Sequence, residues 1–143
     1  HIIGTASTRN REFLLGLGVD QVVDYTKERF EEVVEPVDLV FDTMGGETQD
    51  RSWIVLKRGG ILVSIVTPPS AEIAEAHGVR QAFVFTQPNA AQLAEIAKLV
   101  DAGKLKAIVD TVLPLAEAKK AQQLGERGHT RGKIVLKVIG AIP

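Results

Sequence analysis

His1-Ile2-Ile3-Gly4 runs into Thr5, Ser7, Thr8 and Arg9, and the first carboxylate after them is Glu12. Hydroxyls and a guanidinium therefore close an apolar segment, with no acid at its tip. Hydroxyls donate single hydrogen bonds and a guanidinium donates a planar fork, so the set suits an anion with several acceptor oxygens, above all a phosphate ester. A carboxylate at the same place would instead accept from the hydroxyls of an unmodified ribose. A simpler alternative stays open at this point: Ser7 or Thr8 caps a following helix, and Arg9 is solvated.

The elements that must position this tip alternate along the chain. Apolar runs fall at 1–5, 20–25, 37–43, 60–66 and 81–86, mostly β-branched and without a polar alternation. Such runs suit parallel strands covered by helices on both faces. Between them, Phe13, Leu14 and Leu17 form one helical stripe, Phe30, Val33 and Val34 a second, and Trp53 and Leu56 a third. Helices are expected over 9–17, 26–34 and 47–57. The rhythm predicts an α/β doubly wound sheet. After Pro88 it changes. Asn89 with Gln92 starts a helix whose Leu93, Ile96, Ala97 and Val100 follow the spacing of a buried face, and Gly103 ends it. A strand in "AIVDTVLPL", a helix from about Leu115 and a strand in "GKIVLKV" complete the chain. The expected division is residues 1–88, a partial dinucleotide-binding domain, and residues 89–143, a linking helix and a return segment.

Two glycine motifs are decoys. "GLGVDQ" leaves a helix to enter a strand, the reverse of a phosphate-binding turn, and Gln21 replaces its third glycine. "GHTRGKI" is one residue short of a P-loop, and Ile134 stands where a hydroxyl should meet magnesium. A nucleotide-type sheet without a glycine-rich first turn implies that "HIIGT" is the second strand of a Rossmann unit. The first strand and its helix are then absent from this chain, and a break is expected between "HIIGT" and "VDLVFDT". The residue ending strand two meets the adenosine ribose in that unit. A 2′-phosphate there adds roughly −1.5 to −2 charges. The tip of "HIIGT" is thus read as an NADP(H) site.

"GTASTRNREFLLGLGVDQVVDY", "VDLVFDTMGGE", "LKRGGILVSI" and "HTRGKIVLKV", in this order, resemble the quinone oxidoreductase branch of the medium-chain dehydrogenase/reductase superfamily, in its C-terminal portion. The likeness spans essentially the whole chain. It implies NADPH-dependent reduction of quinones or conjugated enones and enals, without zinc. It assigns Ser7, Thr8 and Arg9 to the 2′-phosphate, with Tyr25 near the same phosphate. Thr43 falls beside the adenine-side ribose, and Ile65, Val66 and Thr67 fall along the nicotinamide ribose. Strand 81–86, with Phe83 and Phe85, is expected to form a homodimer edge. Arg131 and Lys133 fall near a basic cofactor contact of the family, although a solvated pair explains them as simply. Catalytic side chains cannot be named, because the family's catalytic domain has no counterpart here, and the chain alone is expected to show no turnover. The alternative is a non-catalytic structural or interaction protein of the same family.

Bulk properties agree with a small-molecule enzyme. The 143 residues are 45% hydrophobic and carry a formal net charge of −1. A pI near 6.4 argues against a nucleic-acid partner. No apolar run is long enough to span a bilayer, and the cytoplasm is the expected location. The absence of cysteine excludes thiolate metal sites. His1, His77 and His129 lack metal-ligand spacing and read as surface residues, so no metal is expected.

Overall fold

A computed structural model describes residues 1–128 and 130–138. His129, like the end of the chain from 139, lies outside the described residues. The chain forms two compact units, His1–Thr86 and Gln87–Pro143.

The first unit runs β1 (Ile3–Ala6), α1 (Arg11–Gly16), β2 (Gln21–Asp24), α2 (Phe30–Val33), β3 (Val37–Asp42), α3 (Gly46–Ser52), β4 (Leu56–Ser64), α4 (Ala71–His77) and β5 (Arg80–Phe83). Every ladder is parallel, as short apolar strands separated by helices require. The ladders do not form one sheet. β1 pairs with β2, and β3, β4 and β5 form a second sheet in that order. If β1 is the second strand of a doubly wound sheet, these orders are 3-2 and 4-5-6 of the sequence 3-2-1-4-5-6. No strand of the described residues takes position one, and the expected break between "HIIGT" and "VDLVFDT" is present. The fold is a Rossmann-type parallel sheet lacking its first strand.

One face of the β3-β4-β5 sheet is packed. Trp53, Leu56, Leu62 and Ala74 form its core, with Val37, Val40 and Val79 against them. The opposite side of β3 carries Leu39 and Phe41, each more than half exposed. The two sheets meet through their helices: Glu31 of α2 lies 3.6 Å from the Arg51 guanidinium of α3, which also sits over the Phe30 ring at 5.6 Å.

Two helices differ from their predicted spans for local reasons. α2 begins only at Phe30 because the Asp24 carboxylate accepts from both the backbone N and the hydroxyl of Thr26. This side chain–backbone turn competes with a helical start at 26. α3 ends at Ser52 and passes through a 3-10 turn at Trp53–Val55, so Leu56 and Lys57 open β4 instead of closing the helix. α4 has no strong apolar stripe but has a good start and stop. The Ser70 hydroxyl accepts from Ile73 N at 3.2 Å, and Gly78 ends the helix in the left-handed conformation that a side chain disfavours.

The second unit contains α5 (Ala90–Asp101), β6 (Val109–Pro114), α6 (Ala118–Glu126) and β7 (Lys133–Lys137), with β6 and β7 parallel. Asn89 caps α5 by accepting from Gln92 N at 3.0 Å, and Gly103 follows its end at φ +68°. The apolar spacing located α5 correctly but not its burial. No residue of the helix is buried, and Leu93 is 67% exposed. Spacing reports a face, and burial also needs a neighbour. Among the described residues no helix is long and apolar enough to cross a membrane.

Leu62 has no accessible surface, and its truncation leaves a cavity under Trp53. Leu62→Ala should cost about 2–5 kcal/mol of stability, read as a lower midpoint in urea unfolding followed by tryptophan fluorescence.

Candidate functional site

Two clusters form at the carboxyl ends of the parallel strands, where open α/β sheets bind their ligands. The first is built on β1 and β2. Their register places Ala6 beside Asp24, and Tyr25 N donates to the Ala6 carbonyl at 3.2 Å. The chain then leaves β1 through Ser7, whose carbonyl accepts from Asn10 N at 2.9 Å and whose side chain makes no capping bond. A 3-10 turn over Thr8–Asn10 leads into α1. Ser7, Thr8, Arg9 and Tyr25 are brought together in this way. Thr8 and Arg9 are exposed, and Tyr25 is 58% exposed.

Beneath the tip lies a carboxylate that sequence reasoning did not single out. Asp24 is buried and accepts from the Thr8 hydroxyl, from the Thr26 hydroxyl at 2.6 Å and from Thr26 N at 3.1 Å. Lys27 Nζ stands 3.3 Å away. Hydrogen bonds from Thr26 and Thr8 hold the Asp24 carboxyl far below the ordinary range, with Lys27 adding to them. The Thr8 hydroxyl is therefore engaged as a donor inward, and the helix-capping role left open above is not realised by Ser7.

The second cluster closes β3 and β4. Asp42, buried at the end of β3, accepts from Met44 N at 3.0 Å, Gly45 N at 2.9 Å, Gln49 Nε2 at 2.9 Å and Ser64 Oγ at 2.8 Å. Gln49 Nε2 also donates to the Thr67 carbonyl at 3.0 Å, and Ser64 Oγ accepts from Val66 N at 3.2 Å. One carboxylate thus orders both the turn holding Thr43 and the segment Ile65–Thr67. Gly45 adopts φ +70°, and a Cβ there would lie 3.1 Å from the Val66 side chain, so glycine is needed for this approach. Thr43, Val66 and Thr67 are exposed at this end, and Ile65 is 46% exposed. Burial alone would raise the Asp42 carboxyl; the amides of Gly45 and Met44, then Gln49 and Ser64, outweigh it and set it below the usual range.

The two clusters belong to separate sheets of the first unit. Arg131, exposed, donates its backbone N to Asp110 at 3.4 Å, and Lys133 opens β7; both belong to the second unit. Sequence reasoning missed Asp24, Asp42, Gln49 and Ser64 as site builders. A signal existed for the acids: "VVDY" and "VFDT" each end an apolar parallel strand on a carboxylate, and a carboxylate so placed must be hydrogen-bonded.

Parallel strands whose carboxyl ends gather hydroxyls, amides and buried acids define a Rossmann-type cofactor-domain fold. A family model described as zinc-binding dehydrogenase matches residues 17–136, and the chain belongs to that family, within the medium-chain dehydrogenase/reductase superfamily. It is 33% identical to the probable zinc-binding oxidoreductase, mitochondrial, of Arthroderma benhamiae, over 96% of this chain and 44% of that protein. It is 34% identical to the NADPH-dependent alkenal/one oxidoreductase, chloroplastic, of Arabidopsis thaliana, over 94% of this chain and 33% of that protein. The solved quinone oxidoreductase from Coxiella burnetii superposes with a TM-score of 0.85 at 37% identity, over 96% of this chain and 44% of that one. The chain spans less than half the length of these relatives. The family description names zinc, but among the described residues no three His, Asp or Glu side chains are placed to hold a metal, and the sequence has no cysteine. These residues do not fit a zinc site.

Asp42→Asn places an amide N–H against donors that now face a carboxylate, and should cost roughly 2–4 kcal/mol. A carboxyl depressed in the folded state binds fewer protons there than in the unfolded chain. Its stabilisation is fully present above the unfolded pKa, about 3.9, and is lost as pH falls through the lower folded value. Unfolding midpoints measured from pH 6 downward should therefore fall less steeply below about pH 4 in Asp42→Asn than in the parent chain.

Proposed function

We propose that this chain is the cofactor-holding part of an NADPH-dependent oxidoreductase that reduces a quinone or a conjugated enone or enal. The observation that carries the reading is the β1 tip, where Ser7, Thr8, Arg9 and an exposed Tyr25 gather with no acid among them; the carboxylate in register with the tip, Asp24, is buried and engaged. Two relatives support the substrate class: one carries the name NADPH-dependent alkenal/one oxidoreductase and a solved neighbour the name quinone oxidoreductase.

On this reading Ser7, Arg9 and Tyr25 hold the 2′-phosphate of the adenosine, and Thr8 lies beside it with its hydroxyl donated to Asp24. Thr43 lies beside the adenine-side ribose, and Ile65, Val66 and Thr67 run along the nicotinamide ribose. NADPH supplies a hydride from its nicotinamide ring to the acceptor. The chain's own residues bind, orient and exclude water, which is what hydride transfer asks of a protein. Ile65 and Val66 offer an apolar wall, and Asp42 keeps it in place through Ser64 and Gln49. The chain by itself has no turnover, and the active protein works as a homodimer through 81–86. β5 is the outer strand of its sheet, and Phe83, Val84 and Phe85 are exposed there, Phe85 at 71%.

Titration should show tighter binding of NADPH than of NADH. Arg9→Glu should weaken NADPH by about ten- to a hundredfold, as expected for loss of a charge-assisted contact, and leave NADH nearly unchanged. Equal affinity for the two cofactors in the parent chain would overturn the NADP assignment.

A further inference from the structure

The Asp24 carboxylate occupies an unexpected place for a site built to receive a dianion. It is in register with Ala6, the last residue of β1, and so stands directly beside the tip. It is buried, and both its oxygens are engaged. Oδ1 accepts from Thr26 N and Thr26 Oγ1, and Oδ2 accepts from Thr8 Oγ1 with Lys27 Nζ close by. An acid so saturated is not free to receive ribose hydroxyls, and it does not make the tip an NAD site of the usual kind.

Its effect on Thr8 is more consequential. A threonine hydroxyl carries one proton and two acceptor lone pairs. That proton points to Asp24, so toward the exterior Thr8 offers only lone pairs. Phosphate oxygens are acceptors too, and they gain nothing from such a group. The carboxylate charge beneath the tip opposes a second anion above it, and Lys27 offsets this only in part, since its side chain is largely exposed to water.

We propose that Asp24 is a specificity-determining residue of this cofactor site: by taking the Thr8 proton and placing a carboxylate beside Ala6, it holds down the preference for a 2′-phosphorylated adenosine. The proposal rests on the reading of the β1 tip as the adenosine end of a cofactor site. It makes Asp24 a tuning group whose removal strengthens 2′-phosphate binding, the opposite of what a purely supporting residue does.

The test uses the 143-residue chain and two probes that differ only in the 2′-phosphate, adenosine 2′,5′-bisphosphate and adenosine 5′-monophosphate. Calorimetric titration reads the ratio of their dissociation constants. Asp24→Asn keeps an oxygen for Thr26 N and an N–H for Thr8 Oγ1, which releases the Thr8 proton. The ratio should shift about tenfold toward the bisphosphate, one charge-assisted hydrogen bond, with the monophosphate almost unchanged. Adding Thr8→Val to Asp24→Asn should remove most of that gain. Asp24→Ser carries the same expectation if the asparagine variant does not fold by circular dichroism. An unchanged ratio, or a parallel weakening of both probes, overturns the proposal. A parent chain that prefers the bisphosphate while Asp24→Asn does not alter the ratio leaves the NADPH reading standing and removes only this one. A parent chain without preference that acquires one in Asp24→Asn supports the role of Asp24 and removes the NADPH reading.

Discussion

Backbone amides and carbonyls of a strand need partners on both sides, and this requirement organises the first unit. β1 is bonded through one edge to β2, and β3 through one edge to β4, so among the described residues the two inner edges of a doubly wound order have no ladder. An unpartnered strand edge away from water is costly. Half the sheet is consequently held to the other half by helices, through Glu31, Arg51 and Phe30, instead of by strands. The exposed Leu39 and Phe41 on β3 belong to the same condition: the face they occupy has no helix of this unit packed on it as fully as the Trp53 side.

Within each half the site is ordered by one buried carboxylate at a strand end. Asp24 clasps the turns after β1 and β2; Asp42 clasps those after β3 and β4. The two acids work alike physically. Each is desolvated, each is compensated by several donors, and each converts the loop after a strand into a fixed arrangement of exposed side chains. Thr8, Arg9, Tyr25, Thr43 and Ile65 to Thr67 are exposed and Ser7 is half-buried, and the backbones that carry them are held from below.

Much of this was legible in the chain. The five apolar runs became five parallel strands, the glycine decoys were rejected by spacing, residue type and the order of elements, and the missing position in the sheet followed from the lack of a glycine-rich first turn. Other features were not legible. Asp24 shortened α2 by capturing Thr26, which a helical stripe at Phe30 and Val33 does not disclose. The spacing of Leu93, Ile96 and Val100 described a buried face that the structure leaves open.

The order of residues by itself determined the alternation of strands and helices and the hydroxyl-and-guanidinium character of the β1 tip, because both depend on local periodicity and side-chain chemistry. Only the tertiary structure decided where the Thr8 proton goes, that Asp42 commands two loops at once, and which apolar faces are covered. These depend on groups distant in sequence, Thr8 with Asp24 and Asp42 with Ser64, whose meeting is set by parallel register between strands. Register is a property of the folded sheet, and no single segment contains it.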